Sequence, residues 1–131
     1  MADIPDEARE VLDKKSLAHV ATLNADGSPQ VTPVWISTEN GDVAINSAEG
    51  RLKPENLRRD PRVSISVTDP EDGYKPVLIR GRAKEITHDG ADEHINQLAK
   101  KYLGEDEYPF RQPGEQRVKI VIEPEKVSVG R

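Results

Sequence analysis

The feature that most limits the fold of this chain is an alternation. Val63, Ile65 and Val67 alternate with Ser64, Ser66 and Thr68, a period of two that sends the apolar side chains to one face of an extended strand. Turn signals recur around it. The runs 17–23 and 29–38 flank Asn24-Ala25-Asp26-Gly27, and Asn40-Gly41 leads into 42–46. Asp-Gly and Asn-Gly supply the positive φ that tight hairpins need, so these three runs are expected to form an antiparallel meander. Residues 77–87, interrupted by Gly81, and 118–122 bring the expected strands to six. Helical signals are fewer. Residues 5–14 carry Ala8, Val11 and Leu12 at helical spacing, and Pro54 opens a short helix that Pro61 stops. A longer helix, capped by Asp89 and ended by Gly104, carries the stripe Ala91, Ile95, Leu98, Ala99 and Tyr102. Strands in hairpin order leave edges exposed unless the sheet closes, so the expectation is a mainly β, six-stranded antiparallel barrel.

The 131 residues suffice for one domain around one core, with 1–14 as an N-terminal helix and 124–131 as a C-terminal tail. The net charge of −5 argues against nucleic acid as the main partner. The absence of cysteine excludes disulfides, thiolate nucleophiles and Cys-ligated zinc. No run approaches the roughly 18 apolar residues of a membrane span, and the polar, acidic start of the chain does not resemble a signal peptide. A cytoplasmic location is therefore expected. His19, His88 and His94 lie far apart with no carboxylate at ligand spacing, so no metal site is expected. His94, beside Glu93, reads as a surface residue, and His19 as a satisfied, partly buried strand histidine. Neither a nucleophile elbow nor a phosphate-binding glycine loop occurs.

The segment 46–63 carries the chemistry. A strand ends in Asn46-Ser47-Ala48, passes Gly50 and enters a short helix with Arg51 and Lys53 at its start. Cations there oppose the helix dipole, whereas an anion on the free N–H groups would compensate both. On spacing alone, the cluster Arg51, Lys53, Arg58, Arg59 and Arg62 reads equally as a solvated charged face. Arg58 and Arg59 suit the far end of the helix, where cations are favourable.

The order of elements, with Gly27-Ser28-Pro29-Gln30-Val31-Thr32-Pro33-Val34-Trp35, Asn46-Ser47 and Arg51…Lys53…Asn56-Leu57…Asp60-Pro61-Arg62-Val63, resembles the pyridoxamine 5′-phosphate oxidase-like family. More narrowly, it is similar to the branch of reductases that use the deazaflavin coenzyme F420. The resemblance covers roughly residues 10–125 and implies a split β-barrel homodimer with two cofactor sites at the subunit interface. It implies Lys53 on the cofactor phosphate with Arg51, Asn56 and Leu57 nearby. It puts Asn46, Ser47 and Ala48 along the ring and ribityl region, and Thr32, Pro33 and Val34 beside the ring. FMN-holding oxidases of the family resemble one another in placing an arginine and a lysine where this chain has Thr32 and Ser37, which favours F420 over FMN. Trp35 is read as packing or a substrate-pocket wall, and Tyr74 as a turn residue or pocket rim.

The implied activity is hydride transfer between reduced deazaflavin and a small electron-poor acceptor, with no side chain singled out as catalytic. The alternatives are an FMN-dependent oxidoreductase on the same barrel and a non-catalytic carrier of flavin, deazaflavin or haem. An oligonucleotide-binding barrel is disfavoured by acidity and by the few aromatics.

Overall fold

The turns fold as their residues dictate. Asp26 Oδ1 accepts the Ser28 N–H at 3.0 Å, and Gly27 takes φ 87°, so Leu23 faces Pro29 across the first hairpin. Asn40 and Gly41 both have positive φ, 52° and 84°, as a two-residue hairpin turn requires, and Glu39 faces Asp42.

The computed structural model describes residues 2–130. Their order is α1 (Asp6–Asp13), β1 (Ala18–Leu23), β2 (Pro29–Val34), β3 (Ser37–Glu39), β4 (Asp42–Ala48), α2 (Leu52–Arg59), β5 (Arg62–Asp69), β6 (Asp72–Thr87), α3 (Ala91–Leu103) and β7 (Arg117–Val129). The strands form one antiparallel sheet of seven in the order β2-β1-β5-β6-β7-β4-β3. Strands β2 and β3 stand at opposite ends of that order, yet only Trp35 and Ile36 separate them in the chain. A link that short reaches about 10 Å, so the sheet must curl until its two edges meet. The result is a barrel split between β2 and β3.

Seven strands replace the six expected because the run 29–38 breaks at Trp35–Ile36. The predicted meander is corrected accordingly: β2 pairs with β1, whereas β4 pairs with β3 and β7. The break is supported by α3. The Ile36 N–H donates to the Tyr102 hydroxyl at 3.2 Å, and its carbonyl accepts from Lys101 Nζ at 2.7 Å. Side chains thus satisfy backbone groups that would otherwise need a ladder.

Two further expectations change. Gly81 does not interrupt β6 but bulges it, because a Cβ there would lie 2.3 Å from the Glu123 carbonyl oxygen. The predicted tail from 124 is strand: β7 runs on to Val129, which pairs with Val77, and Pro124 sits at the bulge opposite Gly81, where a missing N–H is tolerated. Arg131 lies outside the described residues.

Inside the barrel pack Val20, Val43, Ile45, Val63, Ile65, Val67, Val77, Ile79, Val118, Ile120 and Ile122, plugged by Val11 and Leu12 of α1, Leu57 of α2, and Ile36. Helix α3 lies outside, on β4 and β7. Its N-cap is Gly90 in the left-handed region, φ 72°, rather than Asp89, and Gly104 ends it as expected. Among the described residues no helix is long and apolar enough to cross a membrane.

Candidate functional site

The five cations of the 51–62 segment separate into two groups. Arg58 grips Glu49 through both guanidinium ends at 2.7 and 3.0 Å. Arg59 donates to the Leu23 carbonyl and to Asn56 Oδ1, and Arg62 clamps Asp60, whose pKa falls to about 2. These three are structural. Lys53 and Arg51 are held less fully, Lys53 by a hydroxyl and Arg51 by a 3.8 Å approach to Glu115.

Lys53 is the second residue of α2, and Pro54 the third rather than the first. Proline is still tolerated there, since first-turn N–H groups lack intrahelical partners. The Lys53 side chain folds back across the barrel seam, leaving the residue 9% exposed, and donates to Thr32 Oγ1 on β2 at 2.7 Å. Among the described residues no carboxylate lies within ion-pair distance of it. Burial, and then Arg51 nearby, lower its pKa from the usual lysine value. A desolvated ammonium whose one recorded partner is a neutral hydroxyl still attracts an anion. Arg51 caps α2, stays exposed and reaches Glu115 at 3.8 Å.

Asn56 and Leu57 hold the helix in place. Asn56 is buried, its Nδ2 donates to Thr22 Oγ1 and Asn24 Oδ1 at 3.0 Å each, and its Oδ1 accepts from Arg59. Leu57 is core. Period-two alternation separates Asn46 from Ser47. Asn46 faces the α3 side of β4, whereas the Ser47 hydroxyl is buried without a hydrogen-bond partner. Ala48 is buried and pairs with Arg117 of β7.

Beside Arg51 lies a cleft of about 270 Å³, whose lining includes Pro33 and Val34 from the end of β2, Trp35 from the break, Asn46 of β4, Ile95 and Leu98 of α3, and Tyr108 and Phe110 of the following loop. Arg51 and Arg117 also line it. Trp35 stacks on Tyr102 at 5.3 Å and meets the edge of Tyr108 at 6.0 Å. Tyr74 does not line this cleft; it is an exposed residue near the start of β6.

Behind the cleft runs a buried chain of hydrogen bonds. Asn46 Nδ2 donates to the Ala91 carbonyl at 3.0 Å and to His94 Nδ1 at 3.1 Å, and Asn46 Oδ1 accepts from Arg117 Nε at 2.9 Å. Because His94 Nδ1 accepts, the ring proton sits on Nε2 and is donated to Ser37 Oγ at 2.9 Å. His94 is therefore neutral, and burial pushes its pKa down to about 4. The surface reading of His94 is overturned: the residue is 3% exposed. His19, read as partly buried, is exposed instead. The missed signal for His94 is spacing, since position 94 falls between Ala91 and Leu98 on the same stripe. Tyr108, Phe110 and Arg117 also line the cleft without a signal in the sequence. The loop has no periodicity, and Arg117 reads as the flank of the strand expected at 118–122.

This geometry can be set beside known proteins. The sequence profile of the pyridoxamine 5′-phosphate oxidase family matches residues 4–129. A solved F420 reductase is 28% identical, with 95% of this chain and 98% of that one covered and a TM-score of 0.83. A conserved hypothetical protein from Mycobacterium tuberculosis is 25% identical over 99% of this chain and 88% of its own, with a TM-score of 0.75. A putative pyridoxamine 5′-phosphate oxidase from Listeria innocua shares the fold at 18% identity, covering 95% of both chains, with a TM-score of 0.72. With a match that runs through every strand and helix of the split barrel, this chain belongs to the pyridoxamine 5′-phosphate oxidase family.

Proposed function

We propose that this protein is an F420-dependent oxidoreductase that acts as a homodimer on a small electron-poor organic acceptor. The observation that carries the reading is Lys53: a buried ammonium beside Arg51, held among the described residues by the Thr32 hydroxyl alone. A phosphate is the partner this arrangement lacks. The likeness to an F420 reductase over nearly the whole of both chains supports the deazaflavin as the phosphate's owner. So do the two matching positions, since Thr32 of β2 and Ser37 of β3 add no cation to Lys53, and Ser37 is bonded to His94.

Bound reduced deazaflavin would supply the hydride. The chain's own part is positional. Lys53 and Arg51 hold the phosphate, Pro33 and Val34 form a flat wall at the end of β2, and Asn46 is fixed in one orientation by three hydrogen bonds. No side chain is assigned as proton donor, and solvent reaches the open cleft.

Fluorescence titration of purified protein with F420, and separately with FMN, tests the reading. Lys53→Ala is expected to weaken F420 binding at least about tenfold, the worth of one charge-assisted contact. It should not lower the melting temperature, because the removed ammonium had no ionic partner. Tighter binding of FMN than of F420 would move the protein to flavin chemistry; binding of neither would end the cofactor assignment.

A further inference from the structure

Tyr74 is 80% exposed, near the tip of the β5–β6 hairpin, and it does not line the cleft of its own chain. The tip that carries it is held. Asp69 accepts the Glu71 N–H at 2.9 Å and Lys14 Nζ at 3.0 Å, Asp72 Oδ1 accepts the Tyr74 N–H at 3.0 Å, and Lys75 lies 3.7 Å from Glu7 of α1. A ring on a fixed tip loses little freedom when something packs against it. One exposed ring alone needs no explanation. This one stands at the hairpin end of the exposed row Leu78, Arg80 and Arg82 of β6, past the irregular pairing at Thr68–Asp69.

The proposed homodimer covers the outer face of β2, β1, β5 and β6. On that face Pro33 lies in line with Leu78 through His19 and Ser66, and Val31 with Arg80 through Ala21 and Ser64. Two sheets related by a twofold axis lying between them stack in one of two simple ways. An axis running across the strands sets β6 on its own copy. Arg80 and Arg82, which have no ion-pair partner among the described residues, would then meet the same two cations. An axis running along the strands sets β6 of the partner on β2, which carries no charged side chain. Charge therefore selects the second arrangement. It keeps the lines of the sheet, so Pro33 meets Leu78 of the partner subunit, and Val31 meets the aliphatic stem of the partner's Arg80. The small residues Ala21, Ser64 and Ser66 fall in the middle, where the two sheets approach.

The cleft opens one step along from this contact. Leu17, half-exposed just before β1, and Trp35, just after β2, both line it and stand beyond His19 and Pro33. From Leu78, β6 runs back to its hairpin tip in the same direction, since Thr68 faces Pro76 where Ser66 faces Leu78. The partner's Tyr74 therefore arrives at the mouth of the cleft. We infer that Tyr74 of each chain closes the ring cleft of its partner, with its phenol ring against the bound deazaflavin. The inference rests on the homodimer and cofactor reading above.

The chain has one tryptophan and no cysteine, so a nitroxide on Tyr74→Cys can be read through Trp35 alone. Labelled Tyr74→Cys chains that also carry Trp35→Phe are refolded together with unlabelled wild type, and mixed dimers are counted by native mass spectrometry. The only tryptophan in a mixed dimer belongs to the unlabelled chain. Its emission is expected to be quenched, and to recover when a thiol cleaves the label. Titration with F420 and FMN supplies the second readout. Tyr74→Ala should weaken whichever of the two binds about fivefold, as loss of a ring contact does, and Tyr74→Phe should bind as the wild type. Mixed dimers with unquenched Trp35, chains that stay monomeric, or a Tyr74→Ala variant that binds as the wild type overturn the inference. A wild type that binds neither F420 nor FMN ends the cofactor reading instead, and quenching in mixed dimers would then still place Tyr74 at the partner's cleft.

Discussion

His94 is a neutral residue inside a charged protein. Burial, with Lys119 close by, lowers its pKa to about 4 in the folded chain, although Glu39 pulls the other way. In the unfolded chain an imidazole titrates near about 6.5. Between those values the unfolded state takes up a proton that the folded state refuses, so stability present above about pH 6.5 is lost as the pH falls towards 4. The loss is at most about 3 kcal/mol. Melting temperatures of the wild type and His94→Gln across this range check it. The variant should melt lower at neutral pH but decline less steeply, and parallel declines would assign the acid sensitivity to other groups. At this scale the sequence was readable where a residue's chemistry is local. Lys53 stood out because a cation before a first helical turn is unfavourable. Asn56 and His94 were not readable in this way, because the fate of a side-chain amide or imidazole depends on what the fold brings against it. The partners of Asn56 lie 32 and 34 residues away, and Ser37 lies 57 residues from His94.

Among the elements, the break between β2 and β3 positions the site, because it turns Trp35 towards α3. Tyr102 holds that break. Its hydroxyl donates to the Ser16 carbonyl at 2.6 Å and accepts the Ile36 N–H at 3.2 Å, while its ring stacks on Trp35. Tyr102→Phe keeps the ring and strands both backbone groups, a loss of about 1–3 kcal/mol. Chemical denaturation should show this as a lower midpoint with an unchanged slope. An unaltered midpoint would mean that water satisfies both groups. Hairpins were legible because Asp26-Gly27 and Asn40-Gly41 state their own geometry. The break was not legible, since Val34, Trp35 and Ile36 read as uninterrupted strand and the tyrosine and lysine that hold the break lie 66 and 65 residues away. The extension of the last strand beyond 122 is illegible for the opposite reason. Pro124 and its charged neighbours look like a tail until Gly81 provides the bulge that admits them.

At the scale of the whole molecule, the barrel leaves a face to account for. The registers align Val31, Ala21, Ser64 and Arg80 in one row, and Pro33, His19, Ser66 and Leu78 in the next, across β2, β1, β5 and β6. Val31 is 62% exposed and Leu78 is also exposed, on a surface that begins at an unpaired sheet edge. An apolar edge strand open to solvent recruits other strands, and stable proteins cover or charge such edges. β2 carries no charged side chain, and its two prolines, Pro29 and Pro33, blunt the backbone edge without hiding the exposed Val31 side chain, which a cover would bury. The proposed homodimer supplies one, and it also puts a second chain beside Thr32 and Pro33, where the deazaflavin ring is proposed to lie. The dimer and the cofactor site then share residues, and their fates are linked by mass action. Val31→Lys tests this without touching the core. Sedimentation should show a dimeric wild type and a monomeric variant, both with the same far-ultraviolet spectrum, and F420 affinity should fall with dimerisation. A variant that stays dimeric would move the interface elsewhere on the barrel. A monomeric variant that binds F420 as tightly as the wild type would make the site complete within one chain, with Lys53, Thr32 and Arg51 sufficient to hold it.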